Sequence, residues 1–286
     1  MGKTSAFSIL AFLFLLNIVA GMAAWEFSRV KPLEVDFLDV GQGDSIFIET
    51  SQKHQILIDG GPSSVILEKL GDKMPFWDRT IDLVVLTHPE KDHLAGLLEV
   101  LKKYRVENIL WTGIVRETAE YKEWRKLMED EKARVFVAQA GQKIFYDENN
   151  FIEILSPFES LEGRLFKESN DTSVVCRLVF GKNSFLFTGD ISAKTEKELV
   201  EKQNLSLDSD VLKISHHGSK YSSAEEFLQA VSPQFAVIQA GKNNSYGHPA
   251  QETLARLKNQ QVFVTAENGD IICCTDSKTI DCRGSR

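Results

Sequence analysis

The sequence predicts a layered α/β fold, and three observations support this prediction. Short apolar segments typical of strands recur along the chain after about Val30, segments typical of amphipathic helices lie between them, and glycine-containing turns join neighbouring strands. A chain with many strands and interspersed helices buries its apolar surface by covering sheet faces with helices. Residues 30–286 contain no repeat and no low-complexity linker, so we expect one domain there.

The first half of this domain contains four predicted strands, at residues 33–40, 45–50, 55–61 and 81–88. The last of these, IDLVVLTH, is almost continuously apolar, which is typical of a strand covered on both faces. A helix follows, because leucines recur on one stripe, at Leu94, Leu97, Leu98 and Leu101.

The second half continues the alternation of strands and helices. Helices are predicted over Ala119–Glu131 and Ala193–Lys202, after a capping box at Ser223-x-x-Glu226, and from Pro249 onward. Gly181-Lys182-Asn183 predicts one hairpin, and Asn268-Gly269 predicts a final one. The predicted strands lie at residues 107–113, 133–138, 151–155, 173–180, 184–190, 211–215 and 235–240.

The N-terminus predicts export. Lys3 precedes an apolar run of 19 residues, Ala6–Ala24, whose length as a helix nearly spans a bilayer core. Gly21-Met22-Ala23 roughly fits a signal-peptidase site. Residues 1–26 are therefore interpreted as a signal peptide or a membrane anchor, and the protein as exported, either membrane-anchored or secreted.

Charge and cysteine content restrict the function. The net charge of −8 argues against a surface that holds duplex DNA by neutralising phosphates. It leaves nucleic acid open as a substrate, because bound metal ions can themselves contact a phosphate. The four cysteines are Cys176, Cys273, Cys274 and Cys282; a disulfide that includes Cys282 is an open alternative if the domain lies outside the cytoplasm.

A cluster of metal-binding residue types follows the strand at 81–88. His88, Glu90, Asp92 and His93 fall within six residues, where a strand ends and a helix begins. Imidazole and carboxylate groups are the ligands that divalent transition metals prefer. Asp190 and His216 also end predicted strands, which places them at a sheet edge. The predicted metal ligands are therefore His88, Glu90, Asp92, His93, Asp190 and His216.

The order of these motifs resembles the metallo-β-lactamase superfamily, and more closely the hydrolase domain of ComEC-type competence (DNA-internalisation) proteins. The resemblance covers about residues 33–275. Seven ordered motifs carry it: Asp39–Ser45, Ile58–Gly61, Thr87–Pro89, Asn170–Ser173, Phe187–Asp190, His216–Ser219 and Tyr246–Pro249.

This resemblance implies a four-layer αββα sandwich with a centre of two divalent metal ions at the edge of its sheets. His88 and Glu90 would serve one ion, Asp92 and His93 the other, with Asp190 bridging and His216 completing the second site. Asp59 would orient a metal ligand without binding an ion itself, and Asn170 would lie beside the ligands.

The chain departs from the superfamily pattern at two points. Glu90 replaces the second histidine of the motif, and Ser169-Asn170-Asp171 replaces another histidine. Oxygen-rich sites favour Mn²⁺, although Zn²⁺ stays open.

Further roles follow for residues around the predicted ions. Asp92 is the predicted catalytic group that orients the nucleophile, and His248 the predicted donor to a phosphate oxygen or leaving group. The predicted substrate-binding residues are His217, Ser219, Lys220 and Asp44.

Three functions stay open from the sequence. The first is a phosphodiesterase or nuclease that acts outside the membrane on a phosphodiester such as single-stranded DNA, with a separate membrane channel protein as its partner. The second is a hydrolase of lactone or β-lactam bonds. The third is a non-enzymatic binding module on the same fold.

Overall fold

A computed structural model of the chain describes residues 3–28, 32–202 and 204–286, and describes side chains in the first helix for residues 8–22. The chain divides into two units, Met1–Lys31 and Pro32–Arg286.

The N-terminal unit contains helix α1 (Lys3–Ser28). Within the part of the chain that the structure describes, no helix combines the length and the hydropathy needed to cross a membrane. The predicted cleavage site extends to Ala23, whose side chain lies outside the described residues. The interpretation of residues 1–26 as a signal peptide or an anchor therefore stays a prediction.

Within its described residues, the main unit contains two sheets, of eight and seven strands. The strands are β1 (Leu33–Phe37), β2 (Ile46–Glu49), β3 (Gln55–Ile58), β4 (Thr80–Val85), β5 (Arg105–Trp111), β6 (Arg134–Val137), β7 (Lys143–Phe145), β8 (Phe151–Ser156), β9 (Val175–Phe180), β10 (Asn183–Phe187), β11 (Val211–Lys213), β12 (Phe235–Ile238), β13 (Gln261–Val264), β14 (Ile271–Thr275) and β15 (Ile280–Gly284). The first sheet has the order β15-β14-β1-β2-β3-β4-β5-β6, and the second has the order β13-β12-β11-β10-β9-β8-β7.

Each sheet has a parallel half and an antiparallel half. Strands β3 to β6 are parallel, and so are strands β10 to β13. Antiparallel pairs complete both sheets. Because parallel strands end at one edge of a sheet, the loops that follow β3, β4, β10, β11 and β12 can meet in one place.

Helices cover the outer face of both sheets. Their bounds are α2 (Val65–Lys73), α3 (Lys91–Leu101), α4 (Ala119–Glu131), α5 (Ala193–Glu201), α6 (Glu225–Val231), α7 (Gln251–Arg256) and α8 (Thr265–Asn268). Side chains of α2, α3 and α4 pack on the first sheet, and side chains of α5, α6 and α7 pack on the second.

Among the residues that the structure describes, three separate apolar cores establish four layers. The central core lies between the sheets, and the alternation of side chains along each strand explains which residues reach it. On β2, for example, Ile46 and Ile48 point into the central core, whereas Phe47 packs with the helices of the outer layer. The order of layers is therefore helix, sheet, sheet, helix, as the resemblance implied.

Most predicted elements are present, some with shifted ends. The helix predicted over Ala119–Glu131 has those bounds, and β9 and β10 form the hairpin predicted at Gly181. Gly181 has a φ of 60°, which explains the glycine in this turn. The short edge strand β7 and the helix α2 were not predicted.

Two local predictions are wrong. Ser223 is not a helix cap: α6 begins after Ala224, and the buried carboxylate of Glu196 accepts the backbone N–H groups of Ser223 and Ala224 at 2.6 and 2.9 Å. A distant acidic side chain thus replaces the local cap. Asn268-Gly269 does not turn the last hairpin either, because it ends α8, while β14 and β15 connect through residues 276–279.

The final hairpin carries a disulfide. Cys273 and Cys282 face each other across β14 and β15 and are bonded. Cys176 is buried in the central core as a free thiol, and Cys274 is free and half-buried.

Candidate metal centre

The loop after β4 places two histidines and two acidic residues at the sheet edge. His88 lies in the loop and is fully buried, and Glu90 is the residue that precedes α3. Asp92 and His93 lie in the first turn of that helix. The helix start rather than the loop alone therefore directs this part of the motif toward the edge.

Asp59, which follows β3, fixes the orientation of His93. Its carboxylate accepts hydrogen bonds from the backbone N–H and the hydroxyl of Thr87 at 2.8 and 2.6 Å. It also lies 2.7 Å from Nδ1 of His93. With the proton on Nδ1, the Nε2 atom of His93 presents a lone pair to the opposite side, toward Asp190.

Four residues bring their ligand atoms together at this edge. One nitrogen or oxygen atom from each lies within 4.8 Å of the atoms of the other three, and the residues are Asp92, His93, Asp190 and His217. Oδ2 of Asp190 is 3.3 Å from Nε2 of His93 and 3.3 Å from Nε2 of His217. Nε2 of His217 is also 3.2 Å from Oδ2 of Asp92.

Two imidazoles and two carboxylates at these distances fit a divalent metal ion. Nε2 of His93 is buried and has no hydrogen-bond partner among the described residues. Buried polar atoms normally have partners, so this nitrogen supports the fit. We name these four residues the ligand group.

His217 owes its position to an unusual turn. Residues Ser215–Gly218 form a tight turn after β11, and His216 and His217 both have positive φ, 50° and 54°. Such backbone is uncommon for residues other than glycine and is costly unless the surroundings hold it. The carbonyl of Gln239 accepts a hydrogen bond from Nδ1 of His217 at 2.9 Å, which directs Nε2 into the ligand group.

The charges of the ligand group depend on each other. Burial disfavours the charged form of both imidazoles, but the nearby carboxylates, Asp190 first among them, together outweigh this effect and raise the pKa of His93 and of His217 well above the usual value. In turn these histidines overcome burial and hold the pKa of Asp190 well below its usual range. In the metal-free protein, the positive charge of the ligand group is therefore carried by protons on the two imidazoles. A bound metal ion would replace these protons.

His88 lies beside the ligand group but not in it. Its ring is 4.2 Å from that of His93, centre to centre, and Nε2 is buried without a hydrogen-bond partner among the described residues. Burial, followed by the charge of His93, lowers its pKa to about 3. His88 is therefore neutral at physiological pH.

His216 and Glu90, both predicted ligands, stand apart from the ligand group. Nε2 of His216 is 3.9 Å from Oδ2 of Asp190 and 3.3 Å from the side-chain nitrogen of Asn170. Oε1 of Glu90 is 2.6 Å from the hydroxyl of Ser169 and 2.8 Å from the guanidinium of Arg116. The predicted neighbour Asn170 thus lies at the site, while Glu90 is held by protein donors.

A cavity of about 210 Å³ opens onto these side chains. His248 lies in its wall, with its ring 5.7 Å from that of His216 and stacked at 5.7 Å on that of the exposed Tyr246. Burial and the nearby His217 lower the pKa of His248 to about 4. The full lining is Gln42, Glu90, Asp92, Asn170, Asp190, His216, His217, Tyr246 and His248.

The predicted substrate-binding residues fall into two sets. His217 belongs to the ligand group, and Asp44 is buried in contact with the ammonium group of Lys213. Ser219 and Lys220 do not line the cavity: the Ser219 hydroxyl accepts from the Tyr221 backbone, and exposed Lys220 lies over the Tyr221 ring at 5.2 Å. The roles assigned to all four from the sequence stay predictions.

Two basic residues at the site were missed from the sequence. Lys213 is 1% exposed and donates to the Gly189 carbonyl at 3.0 Å; its charge within the apolar strand VLKIS was a usable signal. Arg116 lies in a stretch without any motif, so no pattern indicated it.

The fold and this centre together define a metallohydrolase-type protein: a four-layer αββα sandwich with candidate metal ligands at the edge of its sheets. The family model described as the metallo-beta-lactamase superfamily matches residues 38–242. The chain belongs to this superfamily.

Curated relatives and a solved structure agree with this assignment. The chain is 34% identical over 258 residues to ComE operon protein 3 of Bacillus subtilis, covering 83% of this chain and 32% of that protein. It is 31% identical to competence protein ComA of Neisseria gonorrhoeae, with 84% and 32% covered. It thus spans about a third of the length of these relatives. Igni18, a metallo hydrolase from Ignicoccus hospitalis, shares the fold with a TM-score of 0.53 at 15% identity, covering 84% of this chain and 98% of that one.

Proposed function

We propose that this protein is a metal-dependent phosphodiesterase that hydrolyses DNA, with single-stranded DNA as its substrate, outside the cytoplasmic membrane. The observation that carries the proposal is the ligand group, which opens onto a cavity whose wall includes the imidazoles of His216 and His248. The names of the competence proteins among its relatives support DNA as the substrate.

The ion that we propose is Mn²⁺, with Zn²⁺ as the competitor, because two of the four ligands are carboxylates. When bound, a divalent ion supplies the positive charge that activates a water molecule and neutralises charge on a phosphoryl oxygen. Asp92 borders the cavity and orients the nucleophile. His248, neutral because of its low pKa, donates a hydrogen bond to a phosphoryl oxygen or leaving group rather than a full positive charge.

Three features support a location outside the cytoplasm. The N-terminal sequence is apolar, the relatives include competence proteins, and Cys273 and Cys282 form a disulfide, which persists in oxidising compartments. Because the relatives include competence proteins, we also propose a separate membrane channel protein as its partner.

The test is cleavage by the reconstituted protein. After removal of bound metal and addition of Mn²⁺ or Zn²⁺, the protein is incubated with a labelled single-stranded oligonucleotide, with bis(p-nitrophenyl) phosphate, and with a penicillin and a lactone. We expect Mn²⁺-dependent cleavage of the first two. Asp190→Asn should abolish it, whereas Asp276→Asn should not, because Asp276 accepts backbone hydrogen bonds in an exposed turn.

Each result has a defined meaning for the proposal. Turnover of the small ester alone would exclude DNA as the substrate. Turnover of only the penicillin or the lactone would replace the proposal with the lactone or β-lactam hydrolase. Absence of every activity, in a protein that binds metal, would favour a binding module.

A further inference from the structure

The carboxylate of Glu90, which would be a ligand of a second metal ion, is paired with Arg116 and hydrogen-bonded to Ser169. Arg116 has a side chain 10% exposed, donates to the Lys167 carbonyl, and places Nη2 2.8 Å from Oε1 of Glu90. The Ser169 hydroxyl occupies the same oxygen at 2.6 Å. A carboxylate that is paired with a buried guanidinium loses that pairing if it turns to a metal ion, which leaves the guanidinium buried and unpaired.

Asp190 presents its two oxygens to different kinds of cation. Oδ2 faces the two imidazoles of the ligand group at 3.3 Å. Oδ1 faces the buried ammonium group of Lys213 at 3.6 Å. A carboxylate that bridges two metal ions through both of its oxygens offers one to each, and in that arrangement the ammonium group stands on the side of the second ion. Oδ2 of Asp44 contacts the same ammonium group.

His88 is not accompanied by the further ligands that a second metal site requires. Among the residues that the structure describes, only one other set of acidic and histidine side chains converges as the ligand group does, and it consists of Asp44, Asp59 and His93. That set shares His93 with the ligand group, and Asp59 already accepts three hydrogen bonds from Thr87 and His93. His88 belongs to neither set, although its Nε2 is free.

We propose that the centre binds one divalent ion per chain, at the ligand group, and that Arg116 and Lys213 supply fixed positive charge where a two-metal relative would carry its second ion. This revises the expectation of two ions from the sequence. The inference rests on the metal dependence in the proposed function and is independent of the substrate.

The stoichiometry of the full chain tests the inference directly. Metal-free protein is titrated with Mn²⁺ by calorimetry, the bound metal is counted by mass spectrometry, and the electron paramagnetic resonance spectrum is recorded at saturation. We expect one ion per chain and the spectrum of isolated Mn²⁺. Two ions per chain, or the spectrum of an exchange-coupled Mn²⁺ pair, would overturn the inference.

Variants test the part assigned to Arg116. The double variant Arg116→Gln, Ser169→His frees Glu90 and adds an imidazole beside it, so we expect the stoichiometry to rise to two with a weaker second affinity. Arg116→Gln alone serves if the double variant does not fold, and is expected to gain weak binding of a second ion. Arg105→Ala removes an exposed arginine paired with Glu107 at 3.4 Å and should leave the count at one. A folded double variant that gains no second ion contradicts the assignment.

Failure of this inference and failure of the proposed function are distinguishable. One bound ion without phosphodiester cleavage removes the function and leaves the inference intact. Two bound ions together with phosphodiester cleavage would overturn the inference and leave the proposed function intact. A chain that binds no divalent ion removes both.

Discussion

Asp59→Asn should weaken metal binding although Asp59 is not in the ligand group. The wild-type carboxylate receives three hydrogen bonds while fully buried, two from Thr87 and one from His93. An asparagine offers one acceptor oxygen and one donor nitrogen for these three donors. Wherever the amide nitrogen faces Nδ1 of His93, the imidazole must carry its proton on Nε2, which can then no longer bind an ion.

The expected magnitude follows from these contacts. Loss of a partner that orients a ligand typically weakens metal affinity about 10- to 100-fold, or about 1.4 to 2.8 kcal/mol. The unsatisfied buried donor should also lower the free energy of unfolding of the metal-free protein by about 1–3 kcal/mol. Calorimetric titration with Mn²⁺ measures the first quantity, and denaturant unfolding measures the second.

Asp82→Asn is the matched control for this substitution. Asp82 also lies beside a histidine, His54, at 3.6 Å, and accepts the backbone N–H of Gln55 at 2.7 Å, away from the centre. Its replacement should leave Mn²⁺ affinity unchanged. If Asp59→Asn bound Mn²⁺ as tightly as wild type, the argument that Asp59 sets the tautomer of His93 would be refuted.

Three further predictions concern pH, substrate and stability. The folded-state pKa of His88, about 3, lies below its unfolded value, so its stabilising contribution is complete above about pH 6.5 and is lost as pH falls toward about 3. Stability of the metal-free protein should fall by up to about 1.4 kcal/mol per pH unit more steeply than in His88→Gln, as measured by denaturant unfolding; parallel profiles would contradict this. Tyr246→Ala should raise KM for a single-stranded oligonucleotide about tenfold by loss of base stacking, and leave KM for bis(p-nitrophenyl) phosphate unchanged; equal effects on both would exclude stacking. Cys282→Ser should lower the free energy of unfolding by about 2–3 kcal/mol, because Cys273 and Cys282 are nine residues apart, and reductant should have the same effect on wild type but none on the variant.

Much of the fold was predictable because its signals are local. Strand β4 ends in the apolar run Leu83–Val85, helix α4 is amphipathic, and the hairpin at Gly181 has a glycine where φ is positive. Each of these patterns is decided by neighbours in sequence. The capping box at Ser223 failed for the opposite reason, since Glu196 reaches those backbone groups from another helix.

The centre was predictable as a set of residues but not as a geometry. The motif after β4 and the residues that follow β10 and β11 indicated where ligands gather. Adjacent His216 and His217 could not be told apart, because the positive φ of both residues, and not alternation along a strand, decides which ring is buried. Arg116 reaches Glu90 only through the packing of a segment that has no motif of its own.

The charge of the ligand group leads to a last prediction, which concerns proton release. The carboxylates raise the pKa of His93 and His217 well above the usual value for histidine. The histidines hold the pKa of Asp190 well below the usual value for aspartate. In the metal-free protein the two imidazoles therefore carry protons that an ion must displace, while the carboxylate has none to lose. Mn²⁺ affinity should consequently fall as pH falls, by up to about a hundredfold per pH unit while both imidazoles are protonated. Calorimetry in buffers of different ionisation enthalpy would count the released protons, and binding without proton release would show that the imidazoles are already neutral in the metal-free centre.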